Sequence, residues 1–80
     1  MSVRDRLETV FAKSLDLKEG VDFAALRQRE HDEWDSVGHM SLVVAIEEEF
    51  AVDLEPEQMV GIDSFEAALR MLREFGIDDG

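Results

Sequence analysis

Asp35 to Phe50, DSVGHMSLVVAIEEEF, is the stretch on which the reading of this chain turns. Projected at about 100° per residue, Leu42, Val43, Ile46 and Phe50 form one stripe of a helix. Val37, Met40 and Val44 fall on nearly the opposite side, alongside Glu47 and Glu48. The first stripe is a core face; the second is a small apolar patch fringed with acid, and it begins one residue after Ser36. A helix over 36–50 is therefore expected to bury one face and to offer another. At its start the Ser36 hydroxyl can accept a backbone N–H bond as an N-cap. The same place also suits phosphate, because free N–H groups and the positive end of the helix dipole face any anion there.

Toward the N-terminus, Val3, Leu7, Val10, Phe11 and Leu15 recur at helical spacing, with Ser2 available as N-cap and Asp5 in the first turn, so a helix is expected over 3–15. Lys18-Glu19-Gly20 breaks the pattern. Residues 16–35 then show no sustained period and read as a long loop held by a few apolar side chains, Val21, Phe23, Ala24 and Leu26, with a short helical turn near 23–26. Toward the C-terminus, Pro56 suits the first turn of a short helix over 56–60 that Gly61 ends. Asp63 followed by Glu66 has the spacing of a capping box, and Phe65, Ala68, Leu69 and Leu72 mark a last helix over 64–75, stopped by Gly76. No strand is expected beyond a weak "AVDL", and there is no internal repeat.

These elements suit one domain over 1–80, since 80 residues bury only a modest core. An elaborate active site is not expected in so short a chain. Against 8 Lys+Arg stand 20 Asp+Glu, a formal net charge of -12, which should repel nucleic acid and anionic membrane surfaces and favour partners with basic patches. Hydrophobic residues at 45% supply enough apolar material to fold. Cysteine is absent, which rules out a disulfide framework and thiolate metal sites. No apolar run reaches spanning length and the first residues lack the apolar core of a signal peptide, so a soluble cytoplasmic protein, monomeric, is the expectation.

Ser36 lacks the Gly-x-Ser-x-Gly context of a hydrolase nucleophile, and neither His31 nor His39 is placed by the sequence to act as its base. His39 projects toward the core side of the helix and reads as a satisfied histidine. No window has the ligand alternation of a calcium loop, and two histidines eight positions apart make a weak metal pair, so no metal ligand is assigned. Glu47, Glu48 and Glu49 on a helix surface would, taken alone, be a solvated face. Next to Val37, Met40 and Val44 they become the rim of an apolar strip that a basic groove could recognise.

DSVGHMSLVVAIEEEF resembles the signature of the acyl carrier protein family, in which Asp-Ser and an aliphatic residue are followed by apolar positions, then glutamates and phenylalanine. The resemblance extends over nearly the whole chain, through "DLEPEQM" and "IDSFEAALRML". It implies an all-α, right-handed four-helix bundle of the acyl-carrier type, with three main helices, one short helix and a long loop between helices 1 and 2. It implies a carrier and no enzyme: a phosphopantetheinyl transferase, using coenzyme A and magnesium, would attach 4'-phosphopantetheine to Ser36, beside Asp35. The arm's thiol would hold cargo as a thioester for loading enzymes and for a downstream transferase or synthase with basic docking patches. Carried over residue by residue, Asp35, Val37, Met40, Val44, Glu47 and Glu48 become docking residues, and Leu42, Ile46, Phe50, Phe65, Leu69 and Leu72 could part around an acyl chain.

This chain departs from the common family pattern in Glu33-Trp34 before the Asp-Ser pair, in Val37 where leucine is commoner, and in Gly38, His39 and Ser41 after it. The departures place a bulky indole beside the expected arm and lean toward a stand-alone carrier in a specialised biosynthetic pathway. A peptidyl or aminoacyl carrier is the nearest alternative. From another class, the alternative is an unmodified acidic helical adaptor.

Overall fold

The computed structural model describes residues 2–28 and 34–77, and within them the chain is helical, with four α-helices, one 3₁₀ turn and no strand. His31 and Glu33 lie outside the described residues. Helix α1, Val3–Ser14, starts as its composition dictates: the Ser2 hydroxyl accepts the Asp5 N–H at 3.0 Å, Asp5 sits in the first turn and Lys13 in the last. It buries Leu7, Val10 and Phe11 and ends at Leu15, one residue before Asp16 turns to φ 50°.

The long connection that follows is ordered by short-range caps and by one contact far along the chain. Gly20 takes φ 86°, a conformation that glycine adopts without strain, and Asp22 Oδ1 accepts the Ala24 N–H to open the 3₁₀ turn Phe23–Ala25. Leu26 is buried. Next to it, Arg27 and Ser64 form an isolated antiparallel bridge, in which Gln28 donates to the Asp63 carbonyl at 2.9 Å and Phe65 to the Leu26 carbonyl at 3.3 Å. The loop is thereby tied to the entrance of the last helix.

Helix α2, Ser36–Phe50, buries Leu42, Val43, Ile46 and Phe50, the face that the projection marks as core. Its N-cap is Asp35, whose carboxylate accepts the Gly38 N–H at 2.8 Å; Ser36 is the first helical residue, which corrects the expected cap by one position. Asp wins here because its carboxylate, one residue earlier, reaches the third amide of the helix and carries a charge that suits the dipole. The helix stops at Ala51, which is left-handed at φ 53°, with the N–H groups of Ala51 and Val52 both donating to the Glu47 carbonyl.

Helix α3, Pro56–Gly61, has proline in its first turn, and the Gln58 side chain accepts the Glu55 N–H at 2.8 Å. None of its own residues is fully buried, and it is flanked by buried Leu54 and Ile62. Helix α4, Phe65–Glu74, is capped by Ser64, which accepts the Ala67 N–H at 3.0 Å. The expected Asp63 cap is therefore also off by one residue: Ser64, not Asp63, immediately precedes the first helical residue. Gly76, at φ 81°, follows the end of α4.

Helix α1 packs along α2 and against α4, and α4 also carries the 3₁₀ turn. Phe11 lies at the junction. Its ring meets Phe65 at 5.1 Å between centroids and stands edge-on to Trp34 at 5.4 Å and 88°. Phe23 closes over Phe65 at 5.3 Å. This aromatic cluster joins α1, α4, the 3₁₀ turn and the residue ahead of α2 within one core.

Candidate functional site

The start of α2 displays Ser36 and Asp35, both exposed. Asp35 is committed to the helix: its side chain takes the Gly38 N–H and its carbonyl takes the His39 N–H at 2.8 Å. The amides of Ser36 and Val37 meet no acceptor among the described residues, as is usual for the first turn of a helix. The Ser36 hydroxyl likewise makes no hydrogen bond to the described residues, so replacing its proton by a phosphodiester would break nothing there. The two bare amides and the positive helix end fit a phosphate at that oxygen.

Trp34, which the sequence places beside this serine, turns the other way. It is 2% exposed, packed on Phe11, and its indole N–H donates to His39 Nδ1 at 2.9 Å. The expectation of a bulky ring beside the arm is corrected: the indole belongs to the core, where its apolar area outweighs the single polar atom that His39 satisfies. His39 is half-buried, and its Nε2 lies 2.8 Å from the Met59 carbonyl oxygen of α3. The satisfied histidine foreseen from its position in α2 is thus present, with partners that sequence spacing does not reveal.

Along the outer face of α2, Val37, Met40 and Val44 are 77%, 57% and 46% exposed. A shallow groove runs there, lined by Met40, Ser41, Val44, Ala45 and Glu48. Ala45 and Glu48 also border a second groove shared with Thr9, Val10 and Lys13 of α1. The three consecutive glutamates have separate duties. Glu47 is half-buried and its carboxylate accepts the Leu54 N–H at 3.0 Å, and Glu49 is held by Arg6. Glu48 is exposed and engages no hydrogen bond or ion pair among the described residues. The strip thus has one uncommitted anion, Glu48, where the sequence suggested two.

Leu42, Ile46, Phe50, Phe65, Leu69 and Leu72 are all buried in one contiguous hydrophobic cluster. Among the described residues, no group of three or more His, Asp or Glu side chains could hold a metal ion, and no helix is long and apolar enough to cross a membrane. Compared with protein-family models, curated proteins and solved structures, the chain matches none.

Proposed function

We propose that this chain is a stand-alone carrier of the acyl carrier type, a right-handed four-helix bundle that takes 4'-phosphopantetheine on Ser36. The observation that carries the reading is the exposed Ser36 hydroxyl at the first position of α2, with a cap supplied by its neighbour Asp35 and with the Ser36 and Val37 amides meeting no acceptor among the described residues. When bound, the arm supplies a thiol, the one functional group for carrying acyl cargo that a cysteine-free chain lacks. The protein's share is to hold the serine at a fixed place and to be recognised.

Recognition falls to Val37, Met40 and Val44 with Glu48 at the rim, a combination that suits an apolar patch flanked by Lys or Arg on a transferase or synthase. Glu47 supports the helix end and contributes charge from behind. The buried set Leu42, Ile46, Phe50, Phe65, Leu69 and Leu72 is where an acyl chain would be sheltered if the bundle opened for one. The departures around Ser36 favour a specialised pathway, and cytoplasmic enzymes that use coenzyme A fit as its partners.

Intact-protein mass spectrometry after incubation with coenzyme A, magnesium and a broad-specificity phosphopantetheinyl transferase tests this reading, with Ser36→Ala alongside. One added phosphopantetheinyl group on the wild type alone supports it. No addition, under conditions that modify a control carrier, refutes it and favours an unmodified adaptor that uses the same exposed strip.

A further inference from the structure

Neither the attachment of an arm nor the docking strip uses the Trp34–His39 pair. Trp34 is buried ahead of α2, its indole N–H donates to His39 Nδ1 at 2.9 Å, and the two rings lie 19° from parallel. On its other side His39 Nε2 sits 2.8 Å from the Met59 carbonyl oxygen. An indole only donates and a carbonyl only accepts, so a single form of the imidazole satisfies both, with its proton on Nε2 and a lone pair at Nδ1. Trp34 and His39 flank Asp35 and Ser36 in the chain, so this bond closes a ring of residues around the serine. Asp35 tightens the same turn through Gly38 and His39.

What hangs on the far end is α3. None of its residues is fully buried; Leu54 and Ile62 hold its flanks, and its last turn is held by the partly buried Met59 side chain and by the His39 bond. An apolar pair would fill the space of Trp34 and His39 with no polar atom to satisfy, whereas the polar pair fixes direction and tautomer as well as volume.

We propose that Trp34 and His39 are positioning residues, a relay that locks α3 to the first turn of α2 so that Ser36 is presented in one orientation while α3 is docked. The functional half of this inference rests on the carrier reading; the structural half rests on the relay alone. Displacing α3, by a partner or by cargo, takes the Met59 carbonyl away from His39, leaving it to the Ile62 N–H, and loosens the turn that bears the serine.

Nuclear magnetic resonance on the isotope-labelled wild type tests the relay directly. A Trp34 indole N–H coupled across its hydrogen bond to His39 Nδ1, with the imidazole proton on Nε2, is expected; a proton on Nδ1 overturns the proposal, whether or not any variant folds. In His39→Leu, amide exchange should rise about tenfold at residues 58–61 and in the first turn of α2 while α1 and α4 keep their protection, and kcat/KM for transfer onto Ser36 should fall about tenfold. His39→Gln, whose amide can accept from the indole and donate to Met59, should restore both. Uniform loosening of every helix, no change at α3, or no restoration by glutamine overturns the relay. A wild type that is never modified but whose His39→Leu variant shows the localised exchange refutes the carrier reading and upholds the relay.

Discussion

Arg6 of α1 donates twice to Glu49 near the end of α2, from Nε to the carboxylate at 2.8 Å and from Nη2 to the backbone carbonyl oxygen at 2.7 Å. Its guanidinium also lies 4.7 Å from the centre of the Phe50 ring. Three functions meet in one side chain: an ion pair, a bond to a carbonyl at the negative helix end, and a cover for the edge of the core. Arg6→Ala should lower stability by about 1 kcal/mol, the modest figure reflecting a pair that is partly open to water. Glu49→Ala should cost less, since the carbonyl bond survives. Paired chemical denaturation curves check the order; a larger loss for Glu49→Ala would assign the effect to the carboxylate alone.

On the proposed carrier reading, Ser36 serves chemistry and its neighbour Asp35 serves folding. Ser36→Ala should abolish phosphopantetheinylation with a stability change within about 0.5 kcal/mol, because Ser36 is not the cap. Asp35→Ala should keep the acceptor hydroxyl and cost about 1 kcal/mol through the lost Gly38 bond. Thermal melts beside mass spectrometry distinguish the two, and a destabilised Ser36→Ala would contradict the capping geometry.

Charge reversal divides the glutamates. Glu48→Lys should leave the melting temperature in place and slow modification several-fold at low ionic strength, an effect that fades as salt is raised. Glu47→Lys should instead cost about 1 kcal/mol or more, since the Leu54 N–H loses its acceptor. Equal behaviour of the two variants in both assays would show that the triplet acts as undifferentiated charge.

At the end of α2, Ala51 holds a left-handed conformation that costs a residue with a Cβ more than glycine. Ala51→Gly should raise stability by up to about 1 kcal/mol, offset in part by the extra freedom of the unfolded chain. Denaturant midpoints measure it, and a fall would mean that the unfolded-state term prevails.

The helices were legible because burial writes a period into the sequence: the stripe Leu42, Val43, Ile46 and Phe50 is the buried face of α2, and the exposed strip Val37, Met40 and Val44 is the one opposite. Capping was less legible. Asp35 and Ser36, or Asp63 and Ser64, are adjacent residues that can both cap, and the structure uses Asp in the first pair and Ser in the second, whichever stands immediately before the first helical residue. Trp34 and His39 were illegible as a pair, because Trp34 precedes the helix and meets His39 only when Phe11 draws the indole inward. The split of Glu47, Glu48 and Glu49 likewise depends on Arg6 and Leu54, which lie outside the triplet.

The bridge between Arg27 and Ser64 also has a consequence for the order in which the molecule assembles. It joins the first half of the chain to the threshold of the last helix, so it can close only after α2 and α3 have brought the intervening segment round. Contacts of such long separation pay their closure entropy before they return any energy. The Arg27–Ser64 bridge should therefore be the last contact to settle during refolding and the first to come loose on unfolding. In a newly made chain the bridge would then close only once the entrance of α4 has left the ribosome.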